Sequence, residues 1–152
     1  IGIQYNYSPG DSNAADGDIG TFQNLYPTNH LFYGYMDTTG WINMHNPQLN
    51  ISFSPTPKLK VMLDYHLYWN ATNADAWYRV NGATRVRPLN AAATGAGSTF
   101  RGQEIDLTAI YKLNPHVGIM AGYSYFIAGD YLKATGAHGN AQFGYVQVQI
   151  DF

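Results

Sequence analysis

Cysteine is missing from this chain, charged residues make up only 12% of it, and no run approaches the roughly 20 apolar residues a spanning helix requires. The first absence removes disulfides and thiolate metal sites. The third excludes a helical membrane protein. An excess of basic residues is also lacking: 8 Lys and Arg stand against 10 Asp and Glu, for a formal net charge of -2. That balance argues against nucleic acid as a partner, because phosphate binding needs a basic surface. No serine-nucleophile motif and no phosphate-cradling glycine loop occurs, so neither an enzyme nor a cofactor is expected. His30, His45, His66, His116 and His138 are scattered without a ligand-like spacing, and no metal centre is expected from them.

Aromatics are what the chain has in quantity, at 15%, with 13 Tyr, 7 Phe and 3 Trp. Tyr and Trp suit the boundary between lipid headgroups and hydrocarbon, since the ring is apolar and the tip is wet. The last eight residues, Tyr145-Val-Gln-Val-Gln-Ile-Asp-Phe152, alternate strictly, with Val146, Val148, Ile150 and Phe152 on one side and Gln147, Gln149 and Asp151 on the other. A period of two that ends on an aromatic is the signature of a strand with lipid on one face and water on the other.

Similar runs recur upstream. Ile1 to Tyr7 places Ile1, Ile3, Tyr5 and Tyr7 on one face. Leu49, Ile51 and Phe53 alternate with polar residues up to Ser54-Pro-Thr-Pro57, where two prolines mark a tight turn. Leu59 to Trp69 is an eleven-residue alternating run, a length that crosses a bilayer at a tilt of about 45°. Ile105 to Tyr111 forms a fourth run, Asn114-Pro-His116 a second tight turn, and Val117 to Tyr125 a fifth run. Long connections near 8–45, 70–101 and 127–141 therefore alternate with short turns. Outer-membrane barrels place short turns in the periplasm and long loops outside.

The expected fold is all-β, an antiparallel transmembrane β-barrel, with the C-terminus periplasmic. Six strands are too few, because the smallest spanning barrels use about eight and an open edge in hydrocarbon leaves backbone groups unpaired. The start at Ile1, without a leader, leads to the same expectation: these are about six C-terminal strands of a larger barrel, completed by N-terminal strands or by another chain. A soluble sandwich that closes by itself is the competing reading.

Gly20-Thr-Phe-Gln-Asn-Leu-Tyr-Pro-Thr-Asn-His30 and Phe32-Tyr-Gly-Tyr-Met-Asp37 resemble the alginate export family of bacterial outer-membrane proteins. So do Asp64-Tyr-His66, Asp75-Ala-Trp-Tyr78, Glu104-Ile-Asp106, Asn114-Pro-His116 and Ala121-Gly-Tyr-Ser-Tyr-Phe-Ile-Ala-Gly-Asp-Tyr131, in the family's order. The resemblance implies a barrel of roughly 16–18 strands, within the range of such proteins, that conducts a polysaccharide. It also implies a conduit rich in arginine, from which this chain departs. Its lumen candidates are Lys60, Asp64, His66, Glu104, Asp106, Lys112, Gln147, Gln149 and Asp151, with acids at least equal to bases.

Arg79, Arg85, Arg87 and Arg101 fall together in or beside the second long loop, where they could draw in anionic substrates or pair with lipopolysaccharide phosphates. Asp11-Ser-Asn-Ala-Ala-Asp-Gly-Asp18 offers oxygens for a hard cation but lacks the EF-hand spacing, so an ordinary turn is expected. The apolar stretch Leu25 to His30, with the aromatics after it, should fold against the barrel or into its mouth as a constriction. Glu104 and Asp106, two apart on one face, have the placement of a glycosidase pair, but paired carboxylates also line polar lumens. Three functions follow: a channel for a hydrophilic solute or polysaccharide, a scaffolding barrel bound to an envelope partner, or an outer-membrane enzyme. The channel accounts for the most features.

Overall fold

A computed structural model describes residues 1–13, 15–27, 32–89 and 97–152. Six strands form one antiparallel sheet in the order β1 (Gly2–Ser8), β2 (Met44–Thr56), β3 (Leu59–Asn70), β6 (Phe100–Asn114), β7 (Val117–Ala128) and β8 (Ala141–Ile150). Between β3 and β6 the chain makes a small antiparallel hairpin, β4 (Trp77–Tyr78) with β5 (Arg85–Arg87). A short helix, α1 (Asp130–Thr135), precedes β8. The sheet does not close on itself among the described residues, and β1 and β8 are its two edges.

The strands are longer than their apolar alternation suggests. β2 begins at Met44 rather than near Leu49 and runs through both Pro47 and Pro55, with an irregularity between Phe53 and Thr56 that absorbs the second proline. The Ser54 to Pro57 stretch is thus mostly strand, and the turn falls on Pro57 and Lys58. Pro47 interrupts the ladder between β2 and β3, and the side-chain amide of Asn46 donates to the Leu67 carbonyl there at 3.0 Å. The hairpin and α1 were not expected inside the second and third connections.

The ladder registers sort every side chain into rows across the sheet. One face carries the row Ile3, Leu49, Tyr65, Ile105, Tyr125, and beside it the row Ile51, Leu63, Leu107, Tyr123. The other face carries Gln4, Gln48, His66, Glu104, Phe126 and then Asn50, Asp64, Asp106, Ser124, Phe143. Burial runs opposite to that of a soluble protein. Leu107 on the apolar face is 50% exposed and Val146 is 74% exposed, whereas Asn46 and Glu104 on the polar face are fully buried. A sheet in water hides its apolar face; this one turns it outward along its whole length.

The covering of the polar face comes from the long connections, which pack over its loop end. There Met44, Tyr68, Phe126 and Ala128 of the sheet meet Trp77 of the hairpin and Tyr131 and Leu132 of α1. Arg101, at the start of β6, is sealed into this layer. Its guanidinium donates to Asn70 Oδ1 and to the backbone carbonyl of Asn43, and lies 5.3 Å from the centre of the Trp77 ring. Two of its nitrogens donate to buried oxygens, so its removal leaves those acceptors without donors. Arg101→Met should lower the unfolding free energy in detergent by about 1–3 kcal/mol, read from the urea midpoint at unchanged m-value.

Candidate functional site

The inner face of the sheet holds a continuous polar ladder, and a segment of the first long connection is bound into it. Gln48 donates to the Phe32 carbonyl, and the Tyr68 hydroxyl donates to the Tyr33 carbonyl at 2.9 Å. The backbone N–H of Met36 donates to Glu104 at 2.9 Å, and that of Tyr35 donates to Asp106 at 3.4 Å. The Tyr35 ring then stacks on Tyr145 of β8, with centroids 5.2 Å apart and planes 12° from parallel. Thus residues 32–36 lie on the polar face of the sheet and are held by an amide of β2, a hydroxyl of β3, two carboxylates of β6 and a ring of β8.

Gly34 makes this entry possible for two reasons. Its φ of +92° is a conformation that side chains resist, and a Cβ there would come within 2.5 Å of Glu104 Oε1 and the Tyr68 hydroxyl. Glu104 and Asp106 are therefore anchors for backbone donors. His66 lies beside them, its Nε2 3.5 Å from Asp106 Oδ2 and its ring stacked on Tyr68. Asp64, one row away, accepts from Asn50 at 2.7 Å.

The lumen candidates share this face. His66, Glu104 and Asp106 are buried beneath the inserted segment, Asp64 is half-buried, and Lys60, Gln147 and Gln149 are exposed toward the short-turn end. The loop arginines, in contrast, are not one group. Arg101 is fully buried and cannot meet a solute. Arg87 is tied to Thr135 of α1 at 3.0 Å and to the Ala137 carbonyl. Arg85 stands 5.9 Å over the Tyr78 ring, and Arg79 is exposed. Of the four, Arg79 and Arg85 are the ones on the surface of the second connection.

Asp75 joins the first and second connections. Its carboxylate accepts from the backbone N–H of Asp11 and of Ala76 and from the hydroxyls of Thr21 and Tyr78. Burial and the bond to Asp75 push the Tyr78 hydroxyl above its ordinary pKa, so it remains a donor. A cleft of about 420 Å³ lies alongside, between Asp18, Thr21 and Arg85. The Asp11 to Asp18 oxygens form side-chain turns instead, Asp11 accepting from Asn13 N–H and Asp16 from Asp18 N–H. Leu25 and Tyr26, expected to fold inward, are exposed, and His30 lies outside the described residues. The inward segment is the next one, Phe32 to Asp37.

A sheet with apolar rows outside and hydrogen-bonded polar rows inside defines a class: an all-β protein built to present hydrocarbon surface outward. The chain matches the alginate export family over residues 1–146 and belongs to it, which places it among the outer-membrane transport proteins of bacteria. No curated protein and no solved structure matches the chain.

Replacing Gly34 tests the anchoring. Gly34→Ala should expel residues 32–37 from the inner face and make them cleavable by added protease in the folded, detergent-solubilised protein, whereas the wild type stays intact there. Asp75→Ala should expose cleavage sites in both connections it joins.

Proposed function

We propose that this chain forms part of the wall of a closed outer-membrane barrel that acts as a porin-like channel for a hydrophilic solute or polysaccharide. The observation that carries the reading is the inverted burial of the sheet, with apolar rows exposed and polar rows covered. Hydrocarbon is the solvent that suits such an outer face. The strands have the length for it: β3 spans 12 residues and β7 spans 12, against the 9–11 that a tilted crossing needs. The free edges of β1 and β8 would leave N–H and C=O groups unpaired in lipid, so further strands, from the same polypeptide or another, close the barrel.

In this reading the long connections face outward, where Arg79 and Arg85 stand near lipopolysaccharide phosphates and incoming solutes, and the C-terminus faces the periplasm. The lumen is lined by Lys60, Asp64, Gln147 and Gln149, while Glu104 and Asp106, with His66 beside them, hold the inserted segment that narrows the passage. The mixed charge of this wall suits a solute other than a polyanion drawn along an arginine ladder.

Planar-bilayer recording of the full-length protein tests the channel. The wild type should carry a stepwise ion current, and Gly34→Ala should raise the current per channel by relaxing the constriction; no current from either would overturn the reading. The lipid face is checked separately by folding into vesicles. Leu107→Arg should cost about 2–4 kcal/mol near the bilayer centre, while Gln149→Arg on the opposite face should fold as the wild type does.

A further inference from the structure

The inner face is not uniformly filled. β7 presents Gly118, Met120, Gly122 and Ser124 inward, a series of mostly small residues between bulkier neighbours on β6 and β8. A trough follows β7 as a result. Three adjoining cavities trace it: about 360 Å³ bounded by Tyr35, Phe143 and Tyr145, about 140 Å³ over Met120 and Gln147, and about 340 Å³ over Gly118 and Gln149. The first two share Met120 and Gln147, and the last two share Gly118 and Gln149, so the trough is continuous. Above Gly118 a Cβ would meet nothing within 4 Å.

Its chemistry changes along its length in an ordered way. At the loop end, Tyr145 is fixed on three sides. Its ring lies against Gly122, where a Cβ would come within 2.4 Å, its hydroxyl is 3.0 Å from Thr108 Oγ, and Tyr35 stacks upon it. Phe143 continues the stack at 5.6 Å and remains 39% exposed. Below these rings β8 supplies Gln147 and then Gln149, spaced about 7 Å apart as alternate strand residues are. Lys112 on one rim at the far end faces Asp151 on the other, so the two charges offset.

We propose that this trough is a binding groove for a linear, uncharged oligosaccharide, seated with a sugar ring against Phe143 and with its hydroxyls on Gln147 and Gln149. Sugar rings have an apolar C–H face that suits an aromatic platform, and hydroxyls pair with amides that both donate and accept. A polyanion finds one cation here, with a carboxylate opposite it. The assignment rests on the channel reading above and names the class of its solute.

The test is current block of the full-length protein by maltohexaose and cellohexaose, with hexamannuronate as the anionic probe of equal length. At least one neutral sugar should interrupt the current at lower concentration than hexamannuronate. Phe143→Ala and Gly118→Leu should raise its half-blocking concentration about tenfold or more, the loss expected of one aromatic contact. Tyr145→Phe should stay near the wild-type value, and Val148→Ala on the opposite face should leave it unchanged. Block by hexamannuronate alone, or a half-blocking concentration indifferent to Phe143→Ala and Gly118→Leu, would overturn the proposal while leaving the channel intact. If the wild type carries no current, the channel reading fails by itself, and calorimetric titration of the detergent-solubilised protein with both neutral sugars decides the groove. Heat of binding that is lost in Phe143→Ala supports it, and no heat overturns it.

Discussion

Burying polar groups without partners costs more than any single contact in this sheet returns, and the inner face has to meet that constraint row after row. Asn46, Gln48, His66, Tyr68, Glu104 and Asp106 are all withdrawn from water at the loop end of the sheet. Residues 32–36 supply partners to four of them, offering backbone carbonyls to Gln48 and Tyr68 and backbone N–H groups to the two carboxylates, while Asn46 donates to the Leu67 carbonyl and His66 lies against Asp106. The inserted segment has no regular structure of its own to satisfy its backbone. Sheet and segment thus complete each other.

The same logic extends to the outer layer. Arg101 would be a buried charge without recourse were it not for the carbonyl of Asn43, the amide of Asn70 and the face of Trp77. Asp75 would be one too, but for its two backbone and two hydroxyl donors. Each of these residues joins segments far apart in sequence, so the long connections form a fixed layer over the polar face. The exposed apolar face needs no such arrangement, because hydrocarbon makes no demand for hydrogen bonds.

Membership of the alginate export family and the character of the inner wall bear on different questions. The family speaks for the membrane and for transport. The inner face adds its own character, since its exposed side chains include amides, a ring and charges of both signs. Gly118 leaves the inner face open beside it, and Gly122 seats the Tyr145 ring, so two glycines shape the strip between β6 and β8.

The period of two was readable along β3, β6, β7 and β8 because lipid and water each select one parity of residue, and that alternation survives without any partner strand in view. It also assigned Lys60, Asp64, His66, Glu104 and Asp106 to one face, since parity alone decides the face once a strand is granted. The beginning of β2 was obscured, because Pro47 interrupts the alternation and is accommodated only by the Asn46 side chain, which donates to the Leu67 carbonyl of β3. The β4–β5 hairpin and α1 were unreadable for want of length: two or three paired residues, and a six-residue helix without a side-chain cap, leave no period to detect. Which arginine is buried, which aspartate joins two loops, and which stretch of the first connection turns inward depended on hydrogen bonds between residues 16 to 71 positions apart. Local sequence determined the faces of the strands because their alternation is written one residue at a time; the tertiary structure decided how the polar face is covered because its groups find partners only across the chain.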